Sequence, residues 1–189
     1  MTKTHISNFD ATRSGFGYES PVEGITNDWW TPPGIVAKLG RFDLDPCAGV
    51  GQSSLADRVY SPPQNGLVLP WEGRVWCNPP YGPHIKDWAE KMACHHNGIL
   101  LIFARVETKA WHHIWATADA ILFPFRRITF LRPGGFEAKS GTAPSAFCAY
   151  GTANAIHLQL SGIKGALVTK VEITSAKYAD TTQCLPSPQ

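Results

Sequence analysis

Ile99-Leu100-Leu101-Ile102-Phe103 is a run of five large apolar residues with no polar interruption. A strand this apolar has no face for water, so it needs cover on both sides, as in parallel sheets sandwiched between helices. The flanking sequence supplies that cover. Ile85, Trp88, Ala89 and Met92 recur at helical spacing over Ile85 to His96, and Gly98 stands where a helix C-terminal glycine belongs. Lys109 to Ala118 reads as a second helix and Ala120 to Phe123 as the strand after it. Upstream, Thr31 to Leu39 reads as a helix, Phe42-Asp43-Leu44-Asp45 as a short strand, and Arg74 to Cys77 as another. Ile128 to Leu131 and Ser145 to Tyr150 look like an antiparallel pair joined by a Gly/Pro-rich loop. Strand and helix in alternation predict an α/β fold, an open and mostly parallel sheet with a C-terminal antiparallel hairpin. In such sheets ligands sit at the carboxyl ends of the strands.

Composition sets the limits around this frame. A chain of 189 residues with 43% hydrophobic content can bury one core, which excludes wholesale disorder. Residues 1–25 are rich in Gly, Ser, Asn and Thr and read as a flexible arm, residues 26–178 as one domain, and residues 179–189 as a flexible tail. The longest apolar runs are too short to cross a bilayer, and the N-terminus lacks the apolar stretch of a signal peptide. Five cysteines without a CxxC pair make a disulfide scaffold or a structural zinc site unexpected, and a reducing cytoplasm fits them. Adjacent histidines, as in His95-His96 and His112-His113, diverge on a helix, so no metal is expected. Lys and Arg number 17 against 15 Asp and Glu, so total charge does not announce nucleic acid. The charge is uneven, however. Arg105, Lys109, Arg126, Arg127, Arg132 and Lys139 stand against three acids in the same segment, which suits a DNA backbone track or an ordinary solvated face.

Three motifs fall where a ligand would bind. Asp45-Pro46-Cys47-Ala48-Gly49-Val50-Gly51 closes the first strand with a carboxylate and then glycines, a turn where backbone can approach a ligand. The GxGxxG pattern is absent, and a carboxylate aimed into the site favours a cation over phosphate. A simple turn rich in small residues would look the same. Asn78-Pro79-Pro80-Tyr81-Gly82 follows Val75-Trp76-Cys77. Two prolines remove two backbone donors and fix two φ angles, leaving the Asn78 side chain and Pro79 carbonyl as rigid acceptors beside an aromatic ring. That arrangement receives an exposed planar NH2 group. Thr31-Pro32-Pro33 starts a helix, after Trp29-Trp30, with a hydroxyl beside the helix N-terminus, which suits a carboxylate. The tryptophans either cover a ligand or plug the core.

In chain order, Thr31-Pro-Pro, then Asp45-Pro-x-x-Gly-x-Gly, then Asn78-Pro-Pro-Tyr-Gly, the three motifs resemble the S-adenosylmethionine-dependent amino-methyltransferases of DNA. More narrowly, residues 26–150 are similar to the small phage-encoded DNA N6-adenine methyltransferases, through Asp28-Trp-Trp-Thr-Pro, Phe42-Asp-Leu-Asp-Pro, Asn65-Gly-Leu before Trp71, Trp76-Cys-Asn-Pro-Pro-Tyr-Gly and Arg126-Arg-Ile-Thr-Phe. The resemblance implies a Rossmann-like methyltransferase fold and S-adenosylmethionine as methyl donor. It implies that Thr31, between Trp30 and Pro32, holds the cofactor carboxylate and that Asp45 faces its ammonium. Gly49 and Gly51 would let the chain pass close, Pro46, Cys47 and Leu67 would join them in binding the cofactor, and Asn65 would stand toward the cofactor adenine. Asn78, Pro79, Pro80 and Tyr81 would receive a flipped-out adenine of DNA, Tyr81 stacking on it. The setting it implies is phage DNA modification against host restriction, inside the host cytoplasm.

Departures from the wider pattern are expected to show in the structure. Only 33 positions separate Asp45 from Asn78, so the sheet must be trimmed there. The acid that would hold the cofactor ribose has two candidates, Asp43 and Asp57. No segment is long enough for a separate target-recognition domain, which predicts a short or relaxed recognition sequence read mainly through phosphates. Cytosine N4, RNA adenine and protein glutamine offer the same NH2 chemistry, and a catalytically silent DNA-binding module would keep the fold. A Pro46-Cys47 nucleophile of the cytosine-C5 kind is disfavoured by its place in the cofactor turn.

Overall fold

A computed structural model describes residues 29–137 and 143–169. The expected arm (residues 1–25), the expected tail (residues 179–189) and Lys139 lie outside the described residues. Among the described residues seven strands form one sheet in the order β2-β1-β3-β4-β6-β5-β7. They are β1 (Leu44–Asp45), β2 (Arg58–Val59), β3 (Val75–Cys77), β4 (Gly98–Phe103), β5 (Ala120–Pro124), β6 (Ser145–Tyr150) and β7 (Gly165–Thr169). β2, β1, β3 and β4 are mutually parallel, and β6 runs antiparallel to both β4 and β5. β5 therefore points the same way as β4, and β7 runs against it at the edge. Among the described residues four α-helices complete the order: α1 (Pro33–Val36), α2 (Ile85–His95), α3 (Lys109–Thr117) and α4 (Thr152–Leu160).

Period-two alternation divides the core. Val75, Cys77, Leu100 and Ile102 face Trp88, Met92, Trp111 and Ile114 of α2 and α3. Trp76, Ile99 and Leu101 face the other way, onto Val36 and Leu39 beside α1 and Leu158 of α4. The run at residues 99–103 is covered on both sides, as its composition requires.

Several local expectations are corrected. The helix expected from Thr31 to Leu39 is one turn of α-helix followed by a 3-10 turn at Ala37–Leu39. Ser145 to Tyr150 does not pair with Ile128 to Leu131. All six of its residues are buried, so it needs strands on both edges, and β4 and β5 provide them. Ile128 and Phe130 instead point into the core, while Leu131 bridges Trp30 and Glu137. Gly98 is the first residue of β4, not a helix cap. A Cβ there would lie 2.3 Å from the Val75 carbonyl, and His96, at φ 51°, takes the left-handed position that ends α2. Between Asp45 and Asn78 stand the two short strands β2 and β3 and no helix, so the expected trimming falls on the helices.

At the edge of the sheet away from the strand carboxyl ends, Arg74 ties three segments together. Its guanidinium donates to the Leu39 and Arg41 carbonyls, both at 2.8 Å, and to Asn154 of α4 at 2.6 Å. The same group lies 4.2 Å above the Phe42 ring.

Candidate active site

A cleft of about 370 Å³ opens at the carboxyl ends of β1, β2 and β3. Asp45, the last residue of β1, is 3% exposed. Its Oδ1 accepts the Cys47 N–H at 3.1 Å and the Cys47 thiol at 3.6 Å. Burial raises the Asp45 pKa to about 7, opposed by the two Cys47 hydrogen bonds. The carboxyl is thus a group whose ionised form lacks a cation. The turn that follows is held by Gly49 and Gln52, whose backbone and side chain exchange hydrogen bonds at 3.0 and 2.9 Å. Gly51 has φ +79°, a conformation that favours glycine. Gly49 is a glycine for a different reason: a Cβ there would lie 2.1 Å from the Trp30 indole nitrogen.

The turn Asn78-Pro79-Pro80-Tyr81 meets this one directly. Cys47 and Cys77 bring their sulfurs to 3.6 Å, and the Asn78 backbone N–H points at the Cys47 sulfur. Asn78 Nδ2 donates to the Trp29 carbonyl at 2.6 Å. A carbonyl only accepts, so the amide orientation is set: nitrogen toward Trp29, oxygen away from it. Asn78 Oδ1 is buried and has no hydrogen-bond partner. Pro79 is buried and Pro80 exposed, and both line the cleft with Tyr81. The Tyr81 ring stacks on Phe103 with centroids 3.8 Å apart and planes 12° from parallel. One face of the tyrosine is therefore covered from below. Phe103 meets Phe130 edge-on, and Phe130 meets Trp29 likewise, so an aromatic wall runs from Tyr81 to the residue that anchors Asn78. Burial pushes the Tyr81 hydroxyl well above the ordinary tyrosine range, so it is neutral.

The remaining sequence candidates divide between inside and outside the cleft. Trp30, Pro46, Cys47, Gly49 and Asn65 line it. The Trp30 indole N–H is buried without an acceptor. Thr31 is 1% exposed, its hydroxyl also lacks a partner, and it is not among the lining residues. Pro32 faces a separate depression. Leu67 packs against the core and donates its N–H to Asn65 Oδ1 at 3.0 Å. Neither acid considered for the ribose reaches the cleft. Asp43 accepts the Arg74 N–H and Asp57 is paired with Arg41, both at the amino-terminal ends of their strands. Gln52, Tyr60, Gln64 and Trp88 line the cleft and were not singled out from sequence. Of these, Gln64 alone stands within a turn signal, Pro62-Pro63-Gln64-Asn65-Gly66.

Burial pushes the Cys47 thiol up, with further contributions from Cys77 and Asp45, which opposes a nucleophilic role. Among the basic residues, Arg105 and Lys109 are exposed where β4 leads into α3. Arg126 and Arg127 follow β5, and the Arg132 guanidinium lies 3.7 Å above the Trp29 ring. Among the described residues no cluster of His, Cys, Asp and Glu is suited to a metal ion, and no helix is long and apolar enough to cross a membrane.

No curated protein and no solved structure matches the chain. The family model for DNA N-6-adenine-methyltransferase (Dam) matches residues 21–150, which include every residue named above as lining the cleft. With the motif turns after β1 and β3 meeting in one cleft, and that match covering more than half of the sequence, the chain belongs to the Dam family of DNA N-6-adenine-methyltransferases.

Proposed function

We propose that the protein transfers a methyl group from S-adenosylmethionine to N6 of an adenine flipped out of DNA. The observation that carries this reading is the buried, partnerless Asn78 Oδ1 in the same cleft as Asp45. The cleft fits the cofactor by its chemistry. Asp45 offers a carboxylate to an ammonium, and the Trp30 N–H is an unused donor for a carboxylate. The cleft volume also falls in the range of about 300–1,000 Å³ usual for small-molecule sites. S-adenosylmethionine supplies an electrophilic methyl group on a sulfonium.

The residues of the chain do the rest. Adenine N6 is a weak nucleophile because its lone pair is delocalised into the ring. Asn78 Oδ1 and the Pro79 carbonyl accept its two hydrogens, favour a tetrahedral nitrogen and free the lone pair. Placement and hydrogen bonding lower the barrier without a strong base, consistent with the neutral Asn78 and Tyr81. The extra proton on N6 leaves to water after transfer. The basic residues at the carboxyl edge meet phosphates, which fits a short or relaxed recognition sequence. The biological role we propose is phage DNA modification against restriction, in the cytoplasm of the host.

The test is incubation of unmethylated DNA with labelled cofactor, followed by nucleoside mass spectrometry. Labelled N6-methyldeoxyadenosine is expected. N4-methyldeoxycytidine, or no product, overturns the proposal.

A further inference from the structure

A second depression, of about 770 Å³, lies apart from the cleft. Lys38, Arg126, Arg127 and Lys164 line it, against a single acid, Glu137. Phe125 stands at its rim, 75% exposed. These cations come from three places in the chain: the 3-10 turn after α1, the loop after β5, and the residue before β7. No ion pair among the described residues engages Lys38, Arg126 or Lys164. The fold thus gathers like charges around one hollow, an arrangement that self-repels unless a polyanion enters.

Topology relates this hollow to the cleft. β3 and β5 point the same way, so Asn78 and Arg126 leave the sheet at the same edge. β7 runs oppositely, so Lys164 before it lies there too, where its carbonyl accepts the Phe125 N–H at 3.0 Å. Three strand spacings separate β3 from β5 in the sheet, roughly 15 Å. A strand of DNA advances about 3.4 Å per phosphate, so this reaches roughly four nucleotides from the target base. The chain between cleft and hollow is continuous: Trp30 lines one and Pro32 the other.

We infer that this basic hollow holds the phosphate backbone of the DNA strand flanking the target adenine, with Lys38, Arg126 and Lys164 on its phosphates. The inference rests on the methyl-transfer reading above. Lys164 lies beyond the residues that the family model matches, so this contact draws on a part of the chain outside the shared region. The exposed Phe125 ring offers a stacking face to any base that opens there.

The test compares the wild type with the triple variant K38Q/R126Q/K164Q, all three changes being at the surface. Binding of a 20-base-pair duplex is followed by fluorescence anisotropy across a salt series, with methylation kinetics and calorimetry of cofactor binding alongside. Three lost phosphate contacts reduce the slope of log K against log[salt] by roughly 2 to 3. KM for DNA rises at least tenfold, while kcat at saturating DNA and cofactor affinity stay within twofold. An unchanged slope and KM in an active variant overturn the hollow as a backbone site. Equal losses for a duplex reaching only two base pairs beyond the adenine on either side overturn it as well, since that DNA does not reach the hollow. A wild type that binds DNA with this slope but makes no methyladenine counts against the methyl-transfer reading and leaves the hollow standing.

Discussion

Asn78 donates its side-chain N–H to the backbone carbonyl of Trp29, 49 positions earlier, and thereby turns its own oxygen into a buried space with no partner. An unsatisfied buried acceptor costs on the order of 1–3 kcal/mol, so the fold carries a deficit that a donor-bearing ligand relieves. Replacing Asn78 by Ala removes that acceptor and is expected to lower kcat by about 10²–10³-fold. Cofactor affinity should stay within several-fold, because Asp45 and the turn after β1 are untouched. Single-turnover methylation with parallel calorimetry checks both halves. Normal turnover in N78A would sink the assignment of the pocket.

On the proposed reading, Asp45 is expected to give cofactor binding a pH dependence. Its folded pKa is raised from 3.8 to about 7, so the protonated form is favoured by folding. The stabilisation this brings to the free protein is complete below the unfolded pKa and is lost as pH rises through about 7. A cationic ligand needs the ionised form, so its affinity changes in the opposite sense and weakens as pH falls from 8 to 6. Asp45→Asn should bind the cofactor at least tenfold more weakly, with no pH dependence in this range. Calorimetry at a series of pH values, with thermal melts of the free protein, reads both trends.

Gly49 and Gly34 make a matched pair for the close approach of Trp30. An added Cβ at Gly49 would meet the indole nitrogen at 2.1 Å, whereas at Gly34, in α1, it would meet nothing within 4 Å. Gly49→Ala must displace Trp30 from the cleft wall and is expected to weaken cofactor binding more than tenfold. Gly34→Ala should leave binding unchanged and raise stability by about 0.5–1 kcal/mol. Equal cofactor affinities in the two variants would show that the Trp30 contact does not shape the site.

The parts of this protein that were readable in advance are those where one local pattern admits one solution. The apolar run at Ile99 needs cover on both faces, and the two prolines after Asn78 make its turn rigid wherever the chain goes. The anchoring of Asn78 by Trp29 was not readable, because it joins residues far apart in sequence through a backbone group that has no identity. The partner of Ser145 to Tyr150 was misassigned for a similar reason. Adjacent runs suggested a hairpin, but a strand buried along its whole length is placed by its demand for two neighbours. α4 and β7 went unseen because neither carries a strong period. Asp43 and Asp57 are the two acids the sequence offers for a ribose, and only the strand directions show that both sit at the amino-terminal ends, away from the cleft.

Arg74 sets the stability of the frame without touching the chemistry. Its guanidinium joins the carbonyls of Leu39 and Arg41 to Asn154 of α4 and covers the Phe42 ring, at the sheet edge away from the cleft. Burial lowers its pKa, and Asp43 opposes that shift. Truncation to Ala leaves three acceptors without their donor and exposes part of the aromatic face, for an expected loss of about 3 kcal/mol. Arg74→Lys should recover only part of this, since an ammonium cannot reach three divergent acceptors in one plane. Urea unfolding monitored by tryptophan fluorescence gives the stability, and kcat measured well below the transition should match the wild type. A large drop in kcat with unchanged stability would reverse the assignment and tie this clamp to the cleft across the sheet.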